Sequence, residues 1–372
     1  MEEVGTAAGH LVRADIAEQP AVLEGLLARR AEVREALARF KDNLPPGVLL
    51  VARGSSDNAA VYGRYALEAA TARPVAFAAN SLWTRYRRPA ALRGWLVIAI
   101  SQSGATPEVV EVMQLAAESR SFTLAVTNDP DSELAASANA VLNLGAGPER
   151  AIPATKTYTA TLLALALVAE ALGNPPWTRE SLDALPTVLA TILVRLDGLD
   201  QAAELLASGG PSVHLGRGFL YGVALESALK VREMTGMVAD GFSLADFLHG
   251  PIVATGKGTP AICHIGSGAT RQDAYNVAAE VMTRGGRVLA IASDDRRCAI
   301  TAMEPAGGRA VGIASDDKGS HCTVRLSLPS IEEELAAVPH AVAAQRLALQ
   351  VALIRGMDPD RPTGLNKVTA TT

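Results

Sequence analysis

A short pattern that occurs twice in the chain limits its possible folds more than any other feature. Ser103-Gly104-Ala105-Thr106 is repeated as Ser267-Gly268-Ala269-Thr270, 164 residues further along. Arg53-Gly54 is repeated at the same distance as Arg217-Gly218, and a mostly apolar segment precedes both pairs. A third match lies one residue out of this register. Matches at nearly one spacing predict a duplicated domain.

The first copy of this pattern lies between an apolar run and a segment with helical periodicity. Val97–Ile100 is typical of a buried parallel strand. Thr106 stands where an N-cap residue is expected, and Pro107 stands where a helix begins. Apolar residues then recur at close to helical spacing as far as Ala116. The sequence therefore predicts a strand, a polar turn and a helix.

The polar turn itself has the chemistry of an anion site. A helix start offers N–H groups without helical partners and the positive end of the helix dipole. The hydroxyls of Ser101, Ser103 and Thr106 lie beside those groups in sequence, and a phosphate carried by a small molecule suits such a turn. The turn has neither the lysine nor the spaced glycines of nucleotide-binding loops. An ordinary strand-to-helix turn with capping hydroxyls is the alternative.

The rest of the first half repeats the alternation of strand and helix. Residues 48–52 predict the first strand, which is followed by Ser55, Ser56 and a helix that continues to Ala70. Further strands are predicted over residues 74–78, 123–128 and 140–144. This alternation predicts an α/β fold with a doubly wound parallel sheet in each copy. Ligands of such sheets bind at the carboxyl ends of the strands, where both polar turns fall.

Length and composition agree with two such domains. The 372 residues suggest two domains, and 49% hydrophobic residues with only 4% aromatic ones predict a core of Ala, Val, Leu and Ile. A net charge of −5 argues against nucleic-acid binding, which needs a basic face. Cys263, Cys298 and Cys322 form no C-x-x-C pair, which favours reduced thiols in a cytoplasmic protein. We expect no signal peptide, and Thr161–Leu172 is too short to span a membrane.

Four parts are predicted along the chain. They are a helical arm over residues 1–29, a first domain over 30–175, a second domain over 200–355 and a tail over 356–372. An apolar stripe predicts that residues 15–44 form one helix or a pair of helices. The arm could contact another subunit or pack on its own domain.

The second copy differs from the first where chemistry is expected. A helix over roughly residues 219–234 carries Glu226, Lys230 and Glu233 at i, i+4 and i+7, which places all three on one face. A solvated ladder of salt bridges is one interpretation. Apolar neighbours favour a covered helix instead, on which charges need partners or a catalytic task. His249 precedes Gly-Pro and is therefore expected on a bend.

Together these motifs resemble the tandem sugar isomerase (SIS) domain family over about residues 30–372. The family includes the isomerase half of glucosamine-6-phosphate synthase and the SIS-type glucosamine-6-phosphate deaminases. The segments that carry the resemblance are Gly54-Ser55-Ser56, Ser101–Thr106, Thr155-Lys156, Glu226–Glu233, His249-Gly250-Pro251 and Leu365–Val368.

The resemblance implies a role for each candidate site residue. Those that would bind the substrate, mostly through its phosphate, are Ser55, Ser56, Ser101, Gln102, Ser103, Thr106, Thr155 and Glu226. Glu233 would move a proton between C1 and C2 of the opened sugar, since a partly covered carboxylate can act as both acid and base. His249 would open the ring, Lys367 would form an imine with a keto sugar, and Lys230 would balance the charge of Glu233. No metal or other cofactor is expected.

The implied reaction converts glucosamine 6-phosphate to fructose 6-phosphate and ammonia. The synthases also carry a glutaminase domain with a cysteine nucleophile, whereas this chain has no cysteine before Cys263. Ala105 and Ala154 stand where the family has a glutamate and a serine. The open alternatives are a deaminase, deglycase or isomerase for galactosamine or fructosamine phosphate, a non-enzymatic sugar-phosphate sensor, and a synthase half supplied with ammonia by a separate protein. The resemblance also implies a homodimer in which His249 serves the neighbouring subunit's site; neither nucleic acid nor membrane is expected as a partner.

Overall fold

The computed structural model of the protein describes residues 7–293, 324–365 and 367, which form fourteen α-helices and ten β-strands. The helices are α1 (His10–Ala17), α2 (Gln19–Ala28), α3 (Arg30–Ala36), α4 (Ser55–Thr71), α5 (Asn80–Thr84), α6 (Pro107–Glu118), α7 (Glu133–Ala136), α8 (Lys156–Leu172), α9 (Arg179–Val194), α10 (Leu199–Ala207), α11 (Tyr221–Thr235), α12 (Leu244–Leu248), α13 (Arg271–Thr283) and α14 (Ala337–Ile354). The strands are β1 (Val48–Val51), β2 (Val75–Phe77), β3 (Leu96–Ile100), β4 (Phe122–Thr127), β5 (Ala140–Asn143), β6 (Ser212–Gly216), β7 (Ala239–Ser243), β8 (Pro260–Ile265), β9 (Arg287–Ala292) and β10 (Val324–Ser327).

The described residues separate into two compact units, each built on one sheet. The first-sheet unit contains Glu18–Glu149, Ala154–Pro186 and residue 367. The second-sheet unit contains residues 7–17, Arg150–Pro153 and the described part of Thr187–Leu365.

The first sheet has five parallel strands in the order β2-β1-β3-β4-β5. Every residue of β1 and β3 is buried, as expected for a sheet covered on both faces. Helix α6 packs on one face over a core that includes Val97 and Val110, and helices α4 and α8 pack against each other. The doubly wound parallel sheet predicted for this half is confirmed.

The second sheet has five parallel strands in the order β7-β6-β8-β9-β10. When the strands are numbered within each half of the chain, this order is the same as in the first sheet. Strand β8 therefore occupies the position that β3 has in the first sheet. The duplication that the repeat predicts is therefore confirmed by topology.

The helical segment predicted over residues 15–44 is confirmed but is divided into shorter helices. Helix α1 ends at Ala17, and α2 begins at Gln19 with Pro20 in its first turn. Proline is tolerated there because its missing N–H has no helical partner to lose, whereas it would break a continuing helix.

Two long apolar helices are buried in the units. Thr161–Leu172, the stretch too short to span a membrane, belongs to α8, whose residues are almost all buried in the core. Among the described helices, α14 is long and apolar enough to cross a membrane, but 78% of that stretch is buried inside the fold. Cys263 on β8 is a buried free thiol, and burial raises its pKa to about 12. Cys298 and Cys322 lie outside the described residues.

Candidate active site

The turn predicted to bind phosphate lies at the carboxyl end of β3, in the centre of the first sheet. Helix α6 begins directly after it at Pro107, and Thr106 is the N-cap residue, as predicted. Gly104 has a φ of 61°, and a Cβ at this position would lie 2.0 Å from Ser132 Oγ. Only glycine therefore fits this turn as it stands.

The three hydroxyls of this turn have different surroundings. Ser101 is buried, and its Oγ lies 3.1 Å from Thr106 Oγ1. Because Thr106 contacts Ser101, its hydroxyl does not cap the backbone of α6. Ser103 is half-buried and its Oγ accepts the N–H of Ala105 at 3.3 Å. Hydroxyls beside a helix start supply the donors that a phosphate needs.

A second polar turn follows β1, the neighbour of β3 in the sheet. Gly54 has a φ of 59°, and α4 begins at Ser55. Arg53 in this turn forms an ion pair with Glu108 in the first turn of α6, with 2.7 Å between Nη2 and Oε2. The pair joins the two turns where the strand order reverses, which is the usual ligand position in such sheets. The repeat includes Arg53, but no pattern in the sequence brings its partner Glu108, 55 residues away, beside it.

Three of the predicted residues, Ser55, Ser56 and Gln102, line one cleft of the first-sheet unit. The remaining lining residues are Ala154, Thr157, Tyr158 and Thr161. The cleft measures 20 Å³, room for about one water-sized group, so only the end of a larger ligand could enter it. Ala154 presents a methyl group here, at the position where the resemblance leads one to expect a serine.

A buried carboxylate, that of Glu149, organises the start of α8. It accepts the N–H of Thr155 at 2.7 Å, the N–H of Thr157 at 3.2 Å and the Thr157 hydroxyl at 2.6 Å. The negative charge thereby caps the positive end of the helix. Thr155 is itself buried, with its hydroxyl 3.4 Å from the same carboxylate. Its partner is thus an internal group, and its contact with substrate stays a prediction.

Lys367, predicted to form an imine, lies at this same carboxylate. Its Nζ is 3.4 Å from Glu149 Oε2, and its side chain is 31% exposed. Lys156, by contrast, is fully buried and pairs with Glu18 at 2.5 Å and with the Pro148 carbonyl at 2.8 Å. The Lys156 ammonium is buried and held by two oxygens, so it stabilises the fold. Lys367, by contrast, remains within reach of a ligand.

The charged face of α11 forms a compact cluster in the second-sheet unit. Lys230 Nζ lies 3.3 Å from Glu226 Oε1 and also pairs with Glu233. Lys230 and Glu226 are almost completely buried, whereas the Glu233 side chain is 21% exposed. Burial alone would lower the pKa of Lys230, but the two carboxylates outweigh burial and raise it. The covered helix that sequence analysis favoured is confirmed, and Glu233 is the member of this cluster that a ligand can reach.

His249 lies on the predicted bend of the second-sheet unit. It directly follows α12, is exposed, and donates its backbone N–H to the Asp246 carbonyl at 3.1 Å. Gly250 has a φ of 147°, which ends the helix and turns the chain. The imidazole is thus presented to solvent by a glycine bend.

The sequence matches the profile of one family, the SIS domain, over residues 46–171 and 212–297. Each segment contains the central strands of one sheet, so the match covers both copies of the repeat. The chain belongs to the SIS domain family, and the resemblance inferred from its motifs is confirmed.

Known proteins similar to the chain include one curated relative and two solved structures. The chain is 30% identical over 372 residues to a glutamine–fructose-6-phosphate aminotransferase (isomerizing) of Zymomonas mobilis, covering 96% of this chain and 58% of that protein. A glucosamine-6-phosphate deaminase of Thermotoga maritima matches with a TM-score of 0.68 and 24% identity, covering 94% of this chain and 99% of its own. A tagatose-6-phosphate ketose/aldose isomerase of Escherichia coli matches with a TM-score of 0.75 and 24% identity, covering 99% of this chain and 100% of its own. At these identities the two structures share the fold, and the chain spans little more than half the length of the curated relative.

Proposed function

We propose that this chain is an amino-sugar-phosphate deaminase that converts glucosamine 6-phosphate and water to fructose 6-phosphate and ammonia. The observation that carries the proposal is the α11 cluster, in which buried Glu226 and Lys230 accompany the partly exposed Glu233. A reachable carboxylate held by a buried cation is suited to proton transfer. Membership of the SIS family supports a sugar-phosphate substrate. A deaminase and an isomerase among the proteins of the same fold agree with it.

The phosphate would bind at the polar turns of the first sheet. The hydroxyls of Ser101, Ser103 and Thr106 and the start of α6 would donate to its oxygens. Ser55 and Ser56, at the start of α4, would complete the donor set from the neighbouring strand. Fixing the phosphate orients the rest of the sugar and removes most of its freedom before any proton moves.

The proton transfers would fall to His249 and Glu233. His249 would take the proton of the C1 hydroxyl and return one to the ring oxygen, which opens the ring to an aldehyde. Glu233 would remove the C2 proton and deliver it to C1, while the aldehyde oxygen gains a proton and the C2 amine loses one, which leaves a hydroxyl at C1 and an imine at C2. Replacement of the imine nitrogen by the oxygen of one water molecule then releases ammonia, so that the atoms of amino sugar and water are recovered in ketose and ammonia.

Lys367 would act on the C2 imine through its own amine. It would attack C2, expel ammonia and form a lysine imine that water hydrolyses to the ketose. An ammonium cannot attack, so Lys367 must first leave its ion pair with Glu149 and give up a proton.

A substrate panel tests the proposed function. The purified chain is offered glucosamine 6-phosphate, galactosamine 6-phosphate, fructosamine 6-phosphate and tagatose 6-phosphate, and both ammonia and sugar product are measured. We expect the fastest ammonia release with glucosamine 6-phosphate. Faster ammonia release from another amino sugar would assign the chain that substrate instead. Isomerisation of tagatose 6-phosphate without ammonia release from any amino sugar would identify an isomerase rather than a deaminase. Tight binding without turnover would indicate a sensor.

Replacing Ser103 with alanine is expected to raise KM for glucosamine 6-phosphate several-fold or more. A hydrogen bond to a charged group contributes roughly 1.5–3 kcal/mol of binding. Ser267→Ala is the matched control, because Ser267 occupies the same place in the second copy and donates to the Ile331 carbonyl. An unchanged KM in Ser103→Ala, or a rise in the control instead, contradicts the assignment of the phosphate to the first turn.

We further propose a homodimer in which His249 of one subunit completes the site of the other. Glu233→Gln and His249→Ala should each be inactive alone, and mixing them under conditions that exchange subunits should restore part of the activity. The restored rate is measured against each variant exchanged with itself. Mixed dimers that form but stay inactive would show that each subunit holds its own complete site.

A further inference from the structure

The second copy contains a counterpart of the phosphate turn that sequence analysis left without a role. It runs from the end of β8 to Thr270, the N-cap residue of α13. Thr270 and Thr106 are 164 residues apart in the repeat and cap equivalent helices. Since β8 also occupies the place of β3 in its sheet, the two turns correspond in both sequence and topology.

This second turn is already occupied by a side chain of the protein. The carboxylate of Glu333 accepts the N–H of Gly268 at 2.9 Å and the N–H of Thr270 at 3.3 Å from each oxygen. Glu333 is only 5% exposed. Two carboxylate oxygens on the N–H groups of a helix start reproduce the contacts by which such a turn binds a phosphate.

The glycines of the turn make room for this carboxylate. A Cβ at Gly266 would lie 2.7 Å from Glu333 Cγ, and a Cβ at Gly268 would lie 2.8 Å from Glu333 Cβ. The hydroxyl of the neighbouring Ser267 donates to the Ile331 carbonyl at 2.7 Å. Both glycines are therefore required by the approach of Glu333.

We propose that the second turn is an anion site whose ligand is the chain's own Glu333, and that removing this side chain opens the turn to a phosphate group. The carboxylate supplies the negative charge and the acceptors, and it also ties the segment before α14 to the second sheet. In the native protein the second copy is thus closed to external anions. This site consists of the contacts of Glu333 and does not require the first turn to bind a substrate.

The test measures binding of inorganic phosphate by calorimetry and by thermal shift. The Glu333→Ala variant is compared with Glu333→Gln, which still fills the turn, and with Glu334→Ala, which removes the same charge from the same segment. All three carry Ser103→Ala, which weakens the first turn, so that the failure of one assignment does not mimic failure of the other. We expect one additional bound phosphate per chain, and a phosphate-dependent rise in Tm, in Glu333→Ala alone.

Folded Glu333→Ala protein that binds no more phosphate than Glu334→Ala would overturn the proposal. If Glu333→Ala does not fold in phosphate-free buffer, it is refolded with phosphate and with chloride at equal ionic strength. Recovery of folded protein in phosphate alone supports an anion site, whereas equal failure in both salts contradicts it. A gain of phosphate binding in Glu333→Gln as well would also contradict the proposal, because phosphate would then bind through the loss of a charge rather than in an emptied turn.

Discussion

Replacing Glu233 with glutamine is expected to slow ammonia release from glucosamine 6-phosphate on the order of a hundred- to ten-thousand-fold, the usual cost of losing a general acid-base group. Glutamine keeps the shape of the side chain but cannot take the C2 proton. The phosphate turn belongs to the other unit and is untouched by the change. We therefore expect kcat to fall while binding of the sugar phosphate persists.

The matched control for this variant is Glu280→Gln. Glu280 also lies on a helix of the second-sheet unit and pairs with Arg284 at 2.8 Å, but its side chain is 43% exposed and far more solvated than the α11 cluster. We expect wild-type kcat and KM for Glu280→Gln. Ammonia release by Glu233→Gln at the wild-type rate would leave deamination standing but remove Glu233 from the mechanism.

Acidification is expected to destabilise the second-sheet unit because it buries three histidines. His264 Nδ1 lies 3.2 Å from His340 Nδ1, and His214 Nδ1 lies 2.7 Å from Ser227 Oγ. Burial lowers the pKa of His264 to about 3. Burial, and then the charge that His264 would carry if protonated, lowers the pKa of His214 and His340 well below the usual value.

The sign of the pH dependence follows from which state binds the proton. The unfolded chain binds it at a pKa of about 6.5, whereas the folded unit resists it, so stability is complete above that pKa and is lost as the pH falls below it. Below that pKa, each histidine that stays neutral in the folded unit lowers the free energy of unfolding by about 1.4 kcal/mol per pH unit. At about pH 5 the three buried histidines together lower the free energy of unfolding by at most roughly 6 kcal/mol. This loss is comparable to the stability of a whole domain.

Urea denaturation at several pH values between neutrality and mild acid measures this loss. The double variant His264→Leu/His340→Leu removes both members of the imidazole pair, so neither is left as an unpaired polar group. We expect its free energy of unfolding to fall less steeply with pH than that of the wild type. The exposed His249 provides the control, and His249→Leu should keep the wild-type slope. An unchanged slope in the double variant would contradict the buried-histidine explanation.

The parts of the structure that could be predicted from the sequence have local signals. The apolar run before Ser101, the N-cap Thr106 and Pro107 lie within a few residues of one another and together specify a strand, a turn and a helix. The Glu226, Lys230 and Glu233 face follows in the same way from helical spacing, and the duplication follows from the repeat.

The carboxylates that cap these helix starts could not be predicted, because the N–H groups they accept lie too far along the sequence for a local capping pattern. Glu149 accepts the N–H groups of Thr155 and Thr157, six and eight residues away, and Glu333 accepts that of Gly268 across 65 residues. Each caps a helix start from outside the few residues within which capping patterns are recognised. Only the fold brings such a carboxylate to the N–H groups it binds.

One measurement tests the proposed chemistry most directly. The purified protein is incubated with glucosamine 6-phosphate in deuterated water, and sugar and ammonia are followed by nuclear magnetic resonance. A proton passed from C2 to C1 by a carboxylate exchanges with solvent, so we expect fructose 6-phosphate carrying deuterium at C1, together with an equal amount of ammonia. Glucosamine 6-phosphate that binds but remains unchanged and undeuterated would contradict the account.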